Sequence, residues 1–335
     1  MTGIYDDDFV YRLQQGVSQL APRWGAGTDV SVRLLTLSEN ATFLLEQPGK
    51  DPLVIRVHRP DYHSRAEIES ELSWIQALRA SHVVTTPALI PLDDGSLIAS
   101  FDDQGQTRYV VAFAFMPGKE PDADANLIPG FELLGATSAR LHQQASTWPL
   151  PTGFSRKTWN FDSAFGSQPL WGDWRAAPGL SAPDQSLLQR LCDQLQQRLA
   201  HYGASADRFG LVHADLRLAN LLVNNDQLAV IDFDDCGFSW FMYDFAAAIS
   251  FYETSPLVPD LQQAWLRGYR SVRPLADEHI QMIPDFILFR RLLLTAWVAS
   301  HPETATAAAA GHEIYTAGTV ELARQWLRQQ QEDTQ

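Results

Sequence analysis

Cysteine is nearly missing from this chain. Cys192 and Cys236 are the only two in 335 residues, and their separation matches no metal-ligand spacing. Neither a disulfide framework nor a thiolate metal site is expected. Positive charge is scarce as well: 25 Lys and Arg stand against 40 Asp and Glu, for a formal net charge of −15. That balance disfavours nonspecific binding to nucleic acid or to an anionic membrane, both of which draw on cationic surface. It is compatible with a cationic substrate, although an acidic surface more often only aids solubility. No apolar run approaches the roughly 20 residues of a membrane helix. The opening MTGIYDDDFV is acidic and lacks the basic and apolar regions of a signal peptide. The expectation is a cytoplasmic protein in a reducing compartment, with no nucleic-acid and no membrane partner.

What is present is chain enough for one large domain or two lobes. The stretches SVRLLTL, ATFLLEQ and PLVIRVHRP are short, apolar and β-branched, and the turn-prone SEN and PGKDP separate them. SRAEIESELSWIQALRAS follows, with Ile68, Leu72, Ile75 and Leu78 at helical spacing and a Ser64/Glu67 capping box at its start. GSLIASF and RYVVAFAF return to strand character. Five strands and one helix therefore occupy roughly residues 30–116. The breaker-rich MPGKEPDADANLIPG marks a boundary. Beyond it the pattern is mainly helical, with two short strands, NLLV and QLAVIDF, embedded; the alanine tract at 304–310 reads as helix or loop filler, and no internal repeat is present.

GLVHADLRLANLLV, residues 210–223, is an apolar run broken by His213, Asp215, Arg217 and Asn220. Asp and Asn favour turns and caps, so Asp215 with Asn220 alone reads equally well as local structure. Twelve residues beyond Asn220, Asp232 ends an apolar strand in AVIDFDDCGFSWFMYDFA. A hairpin would return Asp232 to Asn220, and Asp215, Asn220 and Asp232 would then converge. The trio suits phosphoryl transfer. A hydroxyl nucleophile needs a carboxylate to take its proton, and Mg²⁺ needs hard oxygen ligands of the Asn and Asp kind.

At these residues the chain resembles the eukaryotic-like kinase superfamily. HADLRLAN matches H-x-D-L-x-x-x-N, and IDFDD stands where D-F-G belongs. Within it, the chain looks most like the aminoglycoside phosphotransferase group, which includes choline, homoserine and fructosamine kinases and a bacterial stress-response kinase. The resemblance spans about residues 30–300 and implies an α+β, two-lobed protein-kinase-like fold: an N-terminal antiparallel sheet with one helix, then a larger, mainly helical C-terminal lobe. Residues 1–116 would form the nucleotide-binding lobe and 117–335 the catalytic and substrate lobe.

The resemblance also implies roles, ATP and Mg²⁺ being the cofactors. Asp215 would be the catalytic base, His213 would brace its loop, and Asp244 in YDFA would anchor that loop through backbone donors. Asn220 and Asp232 would hold metal. The lysine expected on the third strand is replaced by Arg56, which keeps the charge but exchanges a point for a planar fork. Glu71 fits its helical partner better than Glu67 or Glu69. SENAT, the glycine-free turn over the phosphates, offers Ser38 and Asn40, and the backbone of Phe115 and Met116 would bind adenine.

Other residues carry weaker signals. Asp234 and Asp235 read as a solvated acidic turn before they read as ligands, and His58 and Arg59 as surface groups. Arg217 reads equally as a phosphate contact or as exposed. One of Arg290 and Arg291, set in an apolar helix, is expected to be an ion-pair partner. Trp159, Trp171 and Trp174 lie in an aromatic-rich irregular stretch that either lines a substrate pocket or simply packs.

The acceptor is read as the hydroxyl of a small molecule. Position 214 is Ala, where kinases switched by activation-loop phosphorylation carry Arg, and only about a dozen residues separate Asp232 from Asp244. The alternatives are a Ser/Thr protein kinase of the bacterial stress-response type, a catalytically inactive nucleotide-binding pseudokinase and, less favoured for want of a His cluster, a metal-dependent hydrolase.

Overall fold

The structure, a computed structural model, describes residues 7–225 and 227–332. Met1–Asp6, part of the stretch read for a leader, lies outside the described residues, as do the extreme ends of both expected lobes. The chain divides into two compact units. The first holds the residues up to Gly118 together with Leu150–Arg156; the second holds Lys119–Pro149 and the residues from Lys157 onward.

The first unit opens with helix α1 (Asp7–Leu20). Strands β1 (Ser31–Leu37), β2 (Ala41–Glu46) and β3 (Leu53–Val57) follow, then helix α2 (Arg65–Ala80) and strands β4 (Ile98–Asp103) and β5 (Gln106–Ala114). The strands make one antiparallel sheet in the order β1-β2-β3-β5-β4. Strand alternation places Phe43, Leu45, Ile55, Val57, Val110 and Ala112 in one core with Leu13 and Val17 of α1. That helix was not anticipated, although Phe9, Leu13, Val17 and Leu20 recur at its spacing.

Helix α2 begins at the expected capping box. Glu67 N donates to Ser64 Oγ at 3.2 Å and Ser64 N donates to Glu67 Oε2 at 2.8 Å. Such a cap contributes about 1 kcal/mol. The buried stripe of α2 carries Ile68, Leu72, Ile75 and Leu78, and with them the carboxylate of Glu71. Residues 150–156 belong to this unit because they bond to α2: Arg156 Nη1 donates to the Glu67 carbonyl and Ser155 N to Ser70 Oγ, each at 2.9 Å.

The second unit is mainly helical, and with it the fold class is the expected α+β kinase-like one. Its helices are α3 (Ile128–Thr147), α4 (Phe161–Phe165), α5 (Ala182–Tyr202), α6 (Tyr243–Ala248), α7 (Val258–Arg270), α8 (Asp277–Gln281), α9 (Ile283–Ser300), α10 (Ala305–Ala310) and α11 (His312–Glu332). Two antiparallel ladders lie among them. One pairs β6 (Phe209–Val212) with β9 (Gly237–Trp240); the other is the expected hairpin of β7 (Leu221–Asn224) and β8 (Gln227–Val230). The β6–β9 ladder was not anticipated, because its four-residue strands are too short to show a period.

Two glycines let α3 and α7 touch backbone to backbone. A Cβ on Gly135 would sit 1.9 Å from the Trp265 carbonyl oxygen, and one on Gly268 would sit 1.8 Å from that of Glu132. The close approach brings His142 of α3 to Tyr269 of α7, Nδ1 to hydroxyl at 2.9 Å. Helix α9 is buried almost all round and carries both Arg290 and Arg291 inside. Arg291 Nη1 donates to Glu253 Oε2 at 2.6 Å, its guanidinium 3.4 Å from the centre of the Tyr315 ring. Both cysteines are buried thiols. Among the described residues, no helix is long and apolar enough to cross a membrane.

Candidate active site

The apolar run around residue 215 is broken because the chain leaves strand β6 there. At Ala214 the backbone turns into the left-handed region, φ +66°. That conformation is unfavourable for alanine, and Asp244 of α6 fixes it. Ala214 N donates to Asp244 Oδ1 at 2.8 Å, and His213 N makes a longer bond to Oδ2 at 3.4 Å. Oδ2 also meets His142 Nε2 at 2.8 Å. Asp244 and His142 are both fully buried. Burial drives the His142 pKa down, Asp244 opposing it only in part, so the imidazole is neutral near pH 7.

His213 lies inside the same turn. Its Nδ1 accepts from Asp215 N at 3.3 Å and its Nε2 meets the Ile231 carbonyl at 3.1 Å. These partners assign the Nε2–H tautomer. The ring stands 4.5 Å from that of Phe233.

Asp215 is buried and both its oxygens are engaged. Asn220 Nδ2 donates to Oδ2 at 2.7 Å and to the Asp215 carbonyl at 2.8 Å. Arg217 Nε donates to Oδ2 at 3.1 Å and Arg290 Nη2 to Oδ1 at 2.6 Å. Burial pushes the carboxyl pKa up, but the charges of Arg217 and Arg290 oppose it, and the carboxyl lies below the usual carboxylate range. Asp215 is thus ionised and fixed in orientation. Asn220 spends Nδ2 on Asp215, so its Oδ1 is the atom left to act as a ligand.

Hairpin β7–β8 does what the spacing required. Ile231 N donates to the Asn220 carbonyl at 2.9 Å, which puts Asp232 one residue beyond the bonded pair. Asp232 is exposed, and its φ of +59° is one that Asp tolerates better than most residues. Hard oxygens on Asn220 and Asp232 fit a divalent ion of the magnesium class. The next two residues depart from the solvated turn expected of them. Asp234 is buried and Asp235 half-buried, because the Asp235 carbonyl takes Trp159 Nε1 at 2.8 Å and the Phe233–Cys236 turn closes at 2.9 Å.

Arg290 is the residue the sequence placed only in part. An ion pair was expected of one of Arg290 and Arg291, with no partner named; both are paired, and the partner of Arg290 is Asp215. Arg290 also donates to the Tyr243 hydroxyl at 2.9 Å and to Ser250 Oγ at 3.1 Å, and lies 5.1 Å over the Trp171 ring. Burial pushes the Tyr243 hydroxyl up to about 12, so it stays protonated. Trp171 therefore packs against the cation that holds Asp215, whereas Trp174 belongs to a core with Leu188, Leu195 and Leu292. Arg217 is not exposed, one of the two readings made of it: it is half-buried and paired with Asp215.

In the first unit, Arg56 and Glu71 meet. Arg56 Nη2 lies 2.7 Å from each carboxylate oxygen, with Arg56 5 % and Glu71 0 % exposed. Arg56 also lies 5.2 Å over the Phe113 ring. Glu67 is in the cap, and Glu69 pairs with Arg65 at the surface. In the SEN turn, Ser38 N donates to the Asn40 carbonyl at 3.0 Å, and Asn40 Oδ1 accepts from Arg59 N at 3.1 Å. Arg59 pairs with Glu39 at 2.7 Å. His58 is buried rather than at the surface, and its N–H extends the β3–β5 ladder to the Tyr109 carbonyl. Phe115 is exposed and gives its N–H to the Pro52 carbonyl at 3.1 Å, whereas Met116 is half-buried.

Residues 32–275 match the family model described as the phosphotransferase enzyme family. The chain belongs to that family. This phosphotransferase is 42 % identical to the microcompartment-associated aminopropanol kinase, whose solved structure superposes with a TM-score of 0.86 over 93 % of this chain and 97 % of that one. It is 23 % identical over 296 residues to the amicoumacin kinase of Bacillus subtilis (strain 168), covering 85 % of this chain and 84 % of that protein. The solved amicoumacin kinase hAmiN, in complex with AMP-PNP, Ca²⁺ and Ami, shares the fold at a TM-score of 0.75 and 22 % identity, over 96 % of this chain and 94 % of that one.

Proposed function

We propose that this phosphotransferase moves the γ-phosphoryl group of ATP to the hydroxyl of a small amino alcohol. The enzyme is a small-molecule kinase, and the amino alcohol is favoured by its 42 % identity to an aminopropanol kinase. An acidic chain suits a substrate carrying an amine.

Asp215 accepts the hydrogen bond of the acceptor hydroxyl and takes its proton as the phosphoryl group arrives. His213 and Asp244 position the loop that carries it. Asn220 Oδ1 and the Asp232 carboxylate hold Mg²⁺, which when bound supplies positive charge against that of the transferring phosphoryl group. Arg56, steadied by Glu71, contacts the phosphates of the donor. Ser38 and Asn40 cover them. The Phe115 carbonyl and the Met116 backbone take the adenine. On this reading residues 1–116 serve the nucleotide and 117–335 serve catalysis and the acceptor. The enzyme works in the cytoplasm, where Cys192 and Cys236 remain thiols.

The observation that carries the reading is the Asp215 carboxylate, buried, ionised and bonded to the amide of Asn220. A panel of aminopropanol, choline, homoserine and 1,2-propanediol, with labelled ATP and Mg²⁺ and a protein acceptor alongside, tests it. Label should enter the amino alcohols, with 1,2-propanediol poorer by about tenfold or more for want of the charged amine. Preferential labelling of the protein acceptor, or nucleotide binding without turnover across the panel, would overturn it.

A further inference from the structure

On the second unit, away from Asp215, lies a cavity of about 470 Å³ lined by Tyr202, Phe241, Tyr269, Arg273, Leu275 and His279, among others. Its charges are unevenly compensated. Arg208 also lines it, but Arg208 is bonded to the Asp207 carboxylate at 2.9 Å, to Glu278 at 3.3 Å and to the Tyr202 carbonyl at 2.9 Å. Burial lowers the His279 pKa, and its Nδ1 is bonded to the Tyr202 hydroxyl at 2.7 Å, so the ring adds no charge near neutral pH. Arg273 differs. Among the described residues no carboxylate pairs with it. Its guanidinium stacks 4.4 Å over the Phe241 ring and makes only two long bonds, to the Tyr269 hydroxyl at 3.5 Å and the Asp207 carbonyl at 3.4 Å. A half-buried cation with weak donors, at the wall of a cavity faced by aromatic rings, is built for an anion with a flat apolar body.

The same arginine stands at the end of a bonded chain to the catalytic loop. Its contact, the Tyr269 hydroxyl, lies 2.9 Å from His142 Nδ1; His142 Nε2 lies 2.8 Å from Asp244 Oδ2; and Asp244 Oδ1 accepts from Ala214 N at 2.8 Å, one residue before Asp215. We propose that this cavity is an effector site for a small organic anion, a carboxylate or a phosphate monoester, whose head pairs with Arg273 and whose occupancy alters the hold of Asp244 on the catalytic loop. The head draws Arg273 off the Tyr269 hydroxyl, which changes the partner His142 sees.

Calorimetric titration of the full chain with benzoate, phenyl phosphate and inorganic phosphate, each with saturating AMP-PNP and Mg²⁺ to occupy the nucleotide site, tests the binding. One of the two aromatic anions should bind one to one, and the preferred one names the head group. Arg273→Gln should weaken it about tenfold or more, the scale of a charge-assisted bond, and Leu275→Trp, which fills the cavity without changing charge, should block it. Inorganic phosphate should bind more weakly than phenyl phosphate. Absence of binding by both aromatic anions, affinity indifferent to both variants, or binding of Mn²⁺ at Asp207, Glu278 and His279 in place of any anion would overturn the site. Only the second arm rests on the kinase reading: the bound anion should change kcat about twofold or more, and Tyr269→Phe should abolish that change while leaving the anion bound. Unchanged turnover of an active enzyme at saturating anion would overturn the effector role, whereas an enzyme inactive on every acceptor would count against the kinase reading and leave the titrations to judge the site.

Discussion

Arg290 Nη2 donates to Asp215 Oδ1 at 2.6 Å, and both side chains are buried. With Arg217 on the other oxygen, the carboxylate carries two cationic partners and is held below its usual pKa. A carboxylate so held is a weak base. On the function proposed above, its contribution to phosphoryl transfer would be chiefly to orient the hydroxyl and to take the proton late, in keeping with a reaction run mostly on positioning.

Arg290→Met removes one of those partners. The Asp215 pKa should rise, so the acid limb of kcat/KM should move to higher pH. The stability sign follows from the same shift: a depressed carboxyl stabilises the fold above the ordinary carboxylate range and loses that contribution as pH falls below it. Losing the partner of a buried charge costs about 3 kcal/mol or more. A pH–rate profile with a denaturant melt at pH 7 measures both, and an acid limb that stays in place would remove Arg290 from control of Asp215.

At position 56 the ion pair with Glu71 and the proposed phosphate contact can be separated. Arg56→Lys keeps a charge for Glu71 and should retain part of the activity, whereas Arg56→Ala leaves Glu71 buried without its partner. The alanine variant should lose most turnover and about 3 kcal/mol or more of stability. Parallel ATP kinetics and melts decide this; wild-type KM and kcat in both variants would place the phosphate contact elsewhere.

For Asp244, the alanine variant strips the acceptors from Ala214 N and His213 N and the partner from His142. Each buried donor left unpaired costs about 1–3 kcal/mol. Hydrogen exchange at residues 213 and 214 should accelerate along with the drop in stability. Unaltered protection there would show that Asp244 does not hold the loop.

Gly135→Ala would place a methyl 1.9 Å from the Trp265 carbonyl oxygen, a backbone atom that cannot yield alone. Helices α3 and α7 must part, at a cost of about 1–3 kcal/mol or more. Because His142 and Tyr269 meet through this crossing, kcat should fall with stability. A neutral melt would mean the crossing is looser than its glycines indicate.

Much of this was legible in the sequence, for reasons that differ by residue. The strands of the sheet and the helix bearing Glu71 showed their periods, and the capping box fixed where that helix starts. The twelve-residue interval from Asn220 to Asp232 required a hairpin, and hairpins are local. Arg290 was harder, because 75 residues separate it from Asp215 and an arginine in an apolar helix announces only that some anion must meet it. Helix α1 was passed over although Phe9, Leu13, Val17 and Leu20 make a stripe as long as the one that revealed α2. The burial of Asp234 and the placing of Trp171 against Arg290 depend on the packing of the irregular stretch around Trp159, where no period exists to read.

The central claim is that Asp215 serves phosphoryl transfer to a small alcohol. Single-turnover transfer from γ-labelled ATP to aminopropanol, by the wild-type enzyme and Asp215→Asn, tests it most directly, with AMP-PNP affinity measured in the presence of Mg²⁺. The account predicts product from the wild type, a fall of about a hundredfold or more in the variant, and nucleotide affinity unchanged between them. Equal rates in the two enzymes would contradict it.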